Sequence, residues 1–219
     1  MKENKKRVEA ITLSAIMIAF AISISAICAV LPFLNLPFGG GFTVASMLPI
    51  IIVAYMYGTK WGILTAFVYS IMQMLLGFNT VSAFFLPGDS QMLWYRALIV
   101  CLIDYVIAYT VLGLGGVFRN KFGTRKALVW GSVLAIALRY VAHIVSGAIF
   151  FGTWAEWFFT QDGFPAWGEK ILEIFSGNAL ATVYSIIYNG TYMIPEIIIT
   201  AIVACFVVRI PQIKMRDEM

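Results

Sequence analysis

The feature that most restricts this chain is the recurrence of long apolar runs, at about residues 8 to 31, 43 to 57, 61 to 77, 97 to 118, 127 to 151 and 179 to 208. A hydrocarbon core about 30 Å thick needs about 20 apolar residues per helix, and in lipid every backbone N–H and C=O must find its partner within its own segment. Each run is therefore read as a helix that crosses a membrane, giving an all-α, polytopic fold with six transmembrane helices in a single domain over residues 1–219. Hydrophobic residues make up 61% of the chain and charged residues 12%, which is more apolar surface than a soluble core of this size conceals. The second and third runs are short and separated only by Gly58, Thr59 and Lys60, so they form a tight helical hairpin turned at the glycine. No window alternates as a transmembrane β-strand does, and no fixed-period repeat occurs.

Charge sets the orientation. With the N-terminus inside, all of the 15 Lys and Arg residues except Arg96, Arg139 and Lys170 fall on the cytoplasmic side or in its loops, and both termini are cytoplasmic. The formal charge of +4 is then a topology signal and gives no reason to expect nucleic acid as a partner. The opening MKENKKR precedes a run long enough to span, so it does not have the form of a cleaved signal peptide. Cys28, Cys101 and Cys205 all lie within apolar runs, without a CxxC pair or a His at ligand spacing, and read as small packing residues. No nucleotide-binding loop, nucleophile elbow or HExxH occurs, and one His cannot build a multi-histidine metal site. The chain is therefore expected to be no enzyme and to carry no metal or other cofactor; if ATP drives it, the ATPase is another chain.

Within these runs, a few polar residues demand an explanation. Asp104 interrupts LIDYVIAYTVLG, and an ionisable side chain near the bilayer centre costs about 2.5 to 3.5 kcal/mol on insertion scales. Counting about 1.5 Å per residue from the outer ends, Asp104 lies about 10 Å deep, His143 about 12 Å, and Tyr184 and Asn189 about 8 and 15 Å. Three different spans thus present an acid, an imidazole, a phenol and an amide at similar depth. One reading is a structural pair, in which Asp104 neutralises Arg139 or His143 and locks the fourth and fifth spans together. The other is a ligand pocket. Tyr105 and Tyr109 accompany the acid, and Tyr184, Tyr188 and Tyr192 recur every fourth residue on one face of the last span. Such a stripe is ordinary packing in most helices, yet phenols beside one carboxylate also suit a flat, cationic, partly polar ligand.

The stretches GGGFTVASMLPI, LIDYVIA, RYVAHIVSGAIFF and VYSIIYNGTYMIPE resemble the thiamine-specific substrate-binding component of energy-coupling factor (ECF) vitamin transporters, in the same order and over most of the chain. The resemblance implies a thiamine pocket lined by Asp104 and Tyr105, by His143, and by Tyr184 and Asn189, with Phe151 where a Trp can follow the His. It differs in carrying the shorter Asp104 where the familiar pattern has Glu, and in lacking a Trp in the first outer loop, where Phe33, Phe38 and Phe42 are candidate aromatic walls. The outer loop 152–178 holds Trp154, Trp157 and Trp167, read as a lid or an interfacial belt.

Helix 1 carries Ala15, Ala19 and Ser23 at four-residue spacing, a stripe that lets another helix approach closely. In most proteins that is an internal seam. The resemblance implies instead that this helix docks on a shared transmembrane coupling subunit driven by two ATP-binding subunits, in a bacterial cell membrane. Arg139 and Glu196 are open between a bundle ion pair and a functional role; Glu196 follows Pro195 in the last span. A different class of function is a stand-alone, ion-coupled carrier in which Asp104, Arg139, His143 and Glu196 relay protons, although no inverted repeat supports it.

Overall fold

The computed structural model describes residues 2–36, 40–162, 164 and 166–216, and among them the secondary structure is helical, apart from one isolated antiparallel bridge between Asn35 and Gly41. In chain order the helices are α1 (Lys2–Ala29), α2 (Leu48–Tyr57), α3 (Thr59–Leu76), α4 (Phe78–Ala83), α5 (Trp94–Gly116), α6 (Thr124–Phe150), α7 (Ala155–Phe159), α8 (Trp167–Ile174) and α9 (Gly177–Val207). Four of them, α1, α5, α6 and α9, are long and apolar enough to cross a membrane. Helix α3 has 18 residues, about 27 Å at the usual rise.

Helix α2 departs from the expected 43–57 span. Its 10 residues reach only about 15 Å, half a bilayer core, and all of them are buried. It is an interior strut, enclosed by α1, α3, α6 and the glycine-rich end of α5. The lost first turn has a local cause: Val44 and Ala45 adopt φ of 42° and 62°, left-handed values that cannot continue a right-handed helix. At the other end Gly58, at φ 95°, makes the turn into α3 that a residue with a Cβ would resist.

Lipid offers no hydrophobic drive for one apolar helix to join another, so close packing carries the association. The sequence supplies it with glycine. A Cβ at Gly113 would strike the backbone of Ile63, and one at Gly131 would strike the carbonyl of Gly115, so α5 touches α3 and α6 backbone to backbone. Hydrogen bonds add to this seam on the other side: Trp61 Nε1 donates to Ser14 Oγ at 2.9 Å, and Gln73 Nε2 to Ser25 Oγ at 2.9 Å, clasping α3 to α1. The remaining face of α1, with Ala15, Ala19 and Ser23, is exposed.

Beyond α9 the chain folds back beneath α2. The Arg216 amide donates to the Met56 carbonyl at 2.8 Å, and the Arg119 guanidinium reaches the same carbonyl at 3.3 Å, so a helix end buried away from water has its acceptor satisfied. Arg216 also pairs with Glu9, which brings the first and last segments to one end of the bundle.

Helix α5 is not uniform. Residues Leu102–Ile107 form a π-helical turn, and Val111–Gly116 tighten into a 3-10 turn. The widened turn is where the intramembrane acid sits, and such turns concentrate at functional sites.

Candidate ligand-binding site

At the end of the bundle opposite Arg216 lies a cavity of about 490 Å³, within the range of small-molecule sites. Its walls come from α5, α6 and α9, from the first loop and from the segment between α3 and α5. Asp104, Tyr105, His143, Phe151, Tyr184 and Asn189 all line it.

The acid is bound on both oxygens. His143 Nδ1 lies 2.9 Å from Asp104 Oδ1, and Ser146 Oγ donates to Oδ2 at 2.8 Å. Both donors are on α6, so the π turn of α5 is tied to its neighbour by the group that costs most to bury. The side chains keep 18% exposure for Asp104 and 11% for His143, and both line the cavity. A carboxylate accepts only, so Nδ1 carries the proton toward Asp104, and in the neutral tautomer of that arrangement Nε2 is an acceptor. That Nε2 is buried and has no hydrogen-bond partner among the described residues.

Of the two structural pairs weighed for Asp104, the geometry contains the one with His143. The guanidinium of Arg139 turns elsewhere: it lies over the Tyr109 ring at 4.3 Å, donates to Tyr109 Oη at 3.0 Å and to Met47 Sδ at 3.1 Å. Arg139 makes no ion pair among the described residues, so a bundle pair with Glu196 is not formed. Glu196, 2% exposed, instead accepts from Thr43 and Ala45 of the first loop.

Helix α9 approaches α6 through Gly147, where a Cβ would overlap Ser185. That contact seats the YSxxxN segment. Asn189 Nδ2 donates to the Ser185 carbonyl at 2.9 Å and to the His143 carbonyl at 3.3 Å, while Tyr192 Oη donates to Asn189 Oδ1. Tyr184 and Tyr188 stack with centroids 5.5 Å apart, and Phe158 of α7 meets both edge-on at 5.3 and 5.7 Å. The connection between α6 and α9 therefore braces the aromatic wall from behind. Its tryptophans do not line the cavity; Trp154, Trp157 and Trp167 are exposed.

The first loop differs from expectation. Phe33 is 76% exposed and neither it nor Phe42 lines the cavity, while Phe38 lies outside the described residues. The loop contributes Gly40, Gly41 and Thr43 instead, because at Gly40 a Cβ would come within 2.7 Å of Tyr192 and the backbone itself forms the wall. Thr80, Phe84 and Ser90 were also missed. They belong to a non-periodic connection with no charge in an apolar run to mark it, although Phe84 supplies the aromatic surface expected of the first loop, packing against Phe151 at 6.0 Å.

Comparison with known proteins points in one direction. The family model described as Thiamine transporter protein (Thia_YuaJ) matches residues 12–158. Thiamine transporter ThiT of Bacillus subtilis (strain 168) is 30% identical over 215 residues, spanning 94% of this chain and 92% of that protein. A solved structure of ThiT from Listeria monocytogenes has a TM-score of 0.61 at 19% identity, over 96% of this chain and 100% of that one, a likeness of fold.

Proposed function

Because the chain belongs to the thiamine transporter family, we propose that it is the thiamine-binding membrane subunit of an ATP-driven ECF-type uptake transporter, a multi-pass protein that carries out no covalent chemistry. The observation that carries this reading is the meeting of Asp104, His143 and the stacked Tyr184 and Tyr188, from three helices, on one cavity of ligand size.

Thiamine joins an aminopyrimidine to a cationic thiazolium, two flat rings with one positive charge. Asp104 meets the polar or cationic edge through the lone pairs its α6 partners leave open, a charge-assisted contact worth about 1.5 to 3 kcal/mol. His143 Nε2 accepts an amino N–H, and the second lone pair of Asn189 Oδ1 accepts another. Tyr105, Tyr184 and Phe151 supply aromatic walls, where a desolvated cation gains about 2 kcal/mol against a ring face. Arg139, one turn below His143, repels a cation and so favours placing the thiazolium toward the outer end of the cavity.

The same reading places the domain, residues 1–219, in the membrane as six helices with both termini cytoplasmic. The Arg216–Glu9 pair at one end and the cavity at the other are consistent with it. Ala15, Ala19 and Ser23, exposed on α1, would receive a transmembrane coupling subunit that is driven in turn by two ATP-binding subunits.

The test is uptake by membranes containing this chain alone. They are expected to bind labelled thiamine without accumulating it, and to accumulate it in an ATP-dependent way once the coupling and ATP-binding subunits are added. Accumulation driven by a proton gradient through this chain alone would overturn the proposal in favour of a stand-alone carrier.

A further inference from the structure

We propose that Glu196 is a positioning residue for ligand binding: it anchors the loop that walls the cavity and so sets how long the ligand stays. This inference rests on the cavity being the thiamine site. Glu196 lies on α9 immediately after Pro195 and is 2% exposed, yet no basic side chain pairs with it among the described residues. Its carboxylate is committed to one short stretch of chain. Oε2 accepts the Thr43 amide at 3.0 Å, and Oε1 accepts the Ala45 amide at 3.0 Å and Thr43 Oγ1 at 3.2 Å.

That stretch needs an anchor. Val44 and Ala45 hold φ of 42° and 62°, and a β-branched residue in the left-handed region persists only where its surroundings impose it. The amides of Thr43 and Ala45 converge on one carboxylate because the backbone between them takes this path. A buried acid without a basic partner requires several donors, and the loop provides them. The bond therefore serves both sides.

The consequence reaches the cavity in two directions. Toward the N-terminus, Gly40, Gly41 and Thr43 form its wall, with Gly40 seated against Tyr192. Toward the C-terminus, the stretch leads into Met47, whose sulfur receives Arg139 at 3.1 Å. Releasing Glu196 frees a wall while leaving Asp104, His143 and the tyrosine stack in place. Ligand escape should then change more than ligand recognition.

The experiment compares purified full-length wild type, Glu196→Gln and Thr43→Val by stopped-flow thiamine dissociation and by amide hydrogen exchange across residues 40–47 and across α6. Glu196→Gln is expected to release thiamine about tenfold faster, with exchange about tenfold faster at 43 and 45 and unchanged in α6, as loss of a charge-assisted bond implies. Thr43→Val, which keeps the amide bond and loses the hydroxyl, is expected to release it about threefold faster. An unaltered release rate and unaltered loop exchange overturn the inference, as does protection lost equally in α6, which would mark a general structural role. If Glu196→Gln does not fold, Thr43→Val decides: faster release supports the anchor, and wild-type release overturns it. Wild type that binds no thiamine defeats the functional reading and this inference together, whereas binding by wild type with unchanged variants defeats this inference alone.

Discussion

At the scale of single residues, the question posed by an acid in an apolar helix has a two-part answer. Asp104 is held by His143 and Ser146, which offsets its burial, and it lines a cavity, which on the proposed reading gives the burial a use. The two roles separate experimentally, because His143 lines the cavity and Ser146 does not. His143→Phe removes both a donor to the acid and the unpartnered Nε2, and is expected to raise the thiamine dissociation constant by about 10-fold to 100-fold in a calorimetric titration. Ser146→Ala, which removes only a donor, is expected to raise it by about threefold or less. For the aromatic wall, Tyr184→Ala is expected to weaken binding by about tenfold and Tyr184→Phe by less than about threefold, since the stack with Tyr188 uses the ring and not the hydroxyl. Equal losses in the two Tyr184 variants would show that the hydroxyl matters instead. The residues that the sequence makes legible are those whose chemistry contradicts their surroundings: a carboxylate, an imidazole and an amide stand out in hydrocarbon. Gly40, Thr43, Thr80 and Ser90 do not, because small residues in connections have neither periodicity nor charge to mark them. Arg139 and Glu196 were visible as charges but not as partners, since sequence spacing cannot say that one turns to Tyr109 and thioethers and the other to a loop.

At the scale of elements, α5, α6 and α9 begin and end within about three residues of apolar runs, because length and apolarity are what a bilayer demands of a crossing segment, whereas α1 begins at Lys2, six residues before its run, in a charged stretch that hydropathy does not mark. It misjudged the start of α2, where the left-handed residues of the first loop override an apolar pattern that would suit a helix. It also could not show the π turn around Asp104, because hydropathy is indifferent to whether an amide bonds four or five residues back. The glycines of the α5 seam are the converse case: visible in VLGLGG, they acquire meaning only once α3 and α6 are seen against them. Gly131→Val is accordingly expected to open the contact with Gly115 and lower the midpoint of thermal unfolding in detergent by several degrees, whereas Gly123→Val, with no neighbour within 4 Å, is expected to leave it nearly unchanged. On α1, replacing both Ala15 and Ala19 by Leu enlarges a face that is exposed among the described residues. Thiamine binding should survive and co-purification with the coupling subunit should be lost; retained assembly would place the docking face elsewhere.

At the scale of the whole molecule, the architecture separates three regions along the bundle. One end gathers both terminal segments around the buried end of α2, the other holds the cavity, and the exposed face of α1 runs along the side. The buried strut α2 connects these regions, entering from the loop that walls the cavity and ending on the carbonyl capped by Arg119 and Arg216. The chain belongs to the thiamine transporter family, and on the proposed reading the energy for uptake comes from partner subunits while the chain itself contributes selective capture. The most direct measurement of that capture is isothermal titration of the purified chain with thiamine, in parallel for wild type and Asp104→Asn, with riboflavin as a control. One thiamine per chain, no heat from riboflavin, and an affinity lowered by about tenfold or more in Asp104→Asn are expected, the last from the loss of a charge-assisted contact. Absence of thiamine binding, or an affinity that does not change when the acid becomes an amide, would contradict the assignment of this cavity.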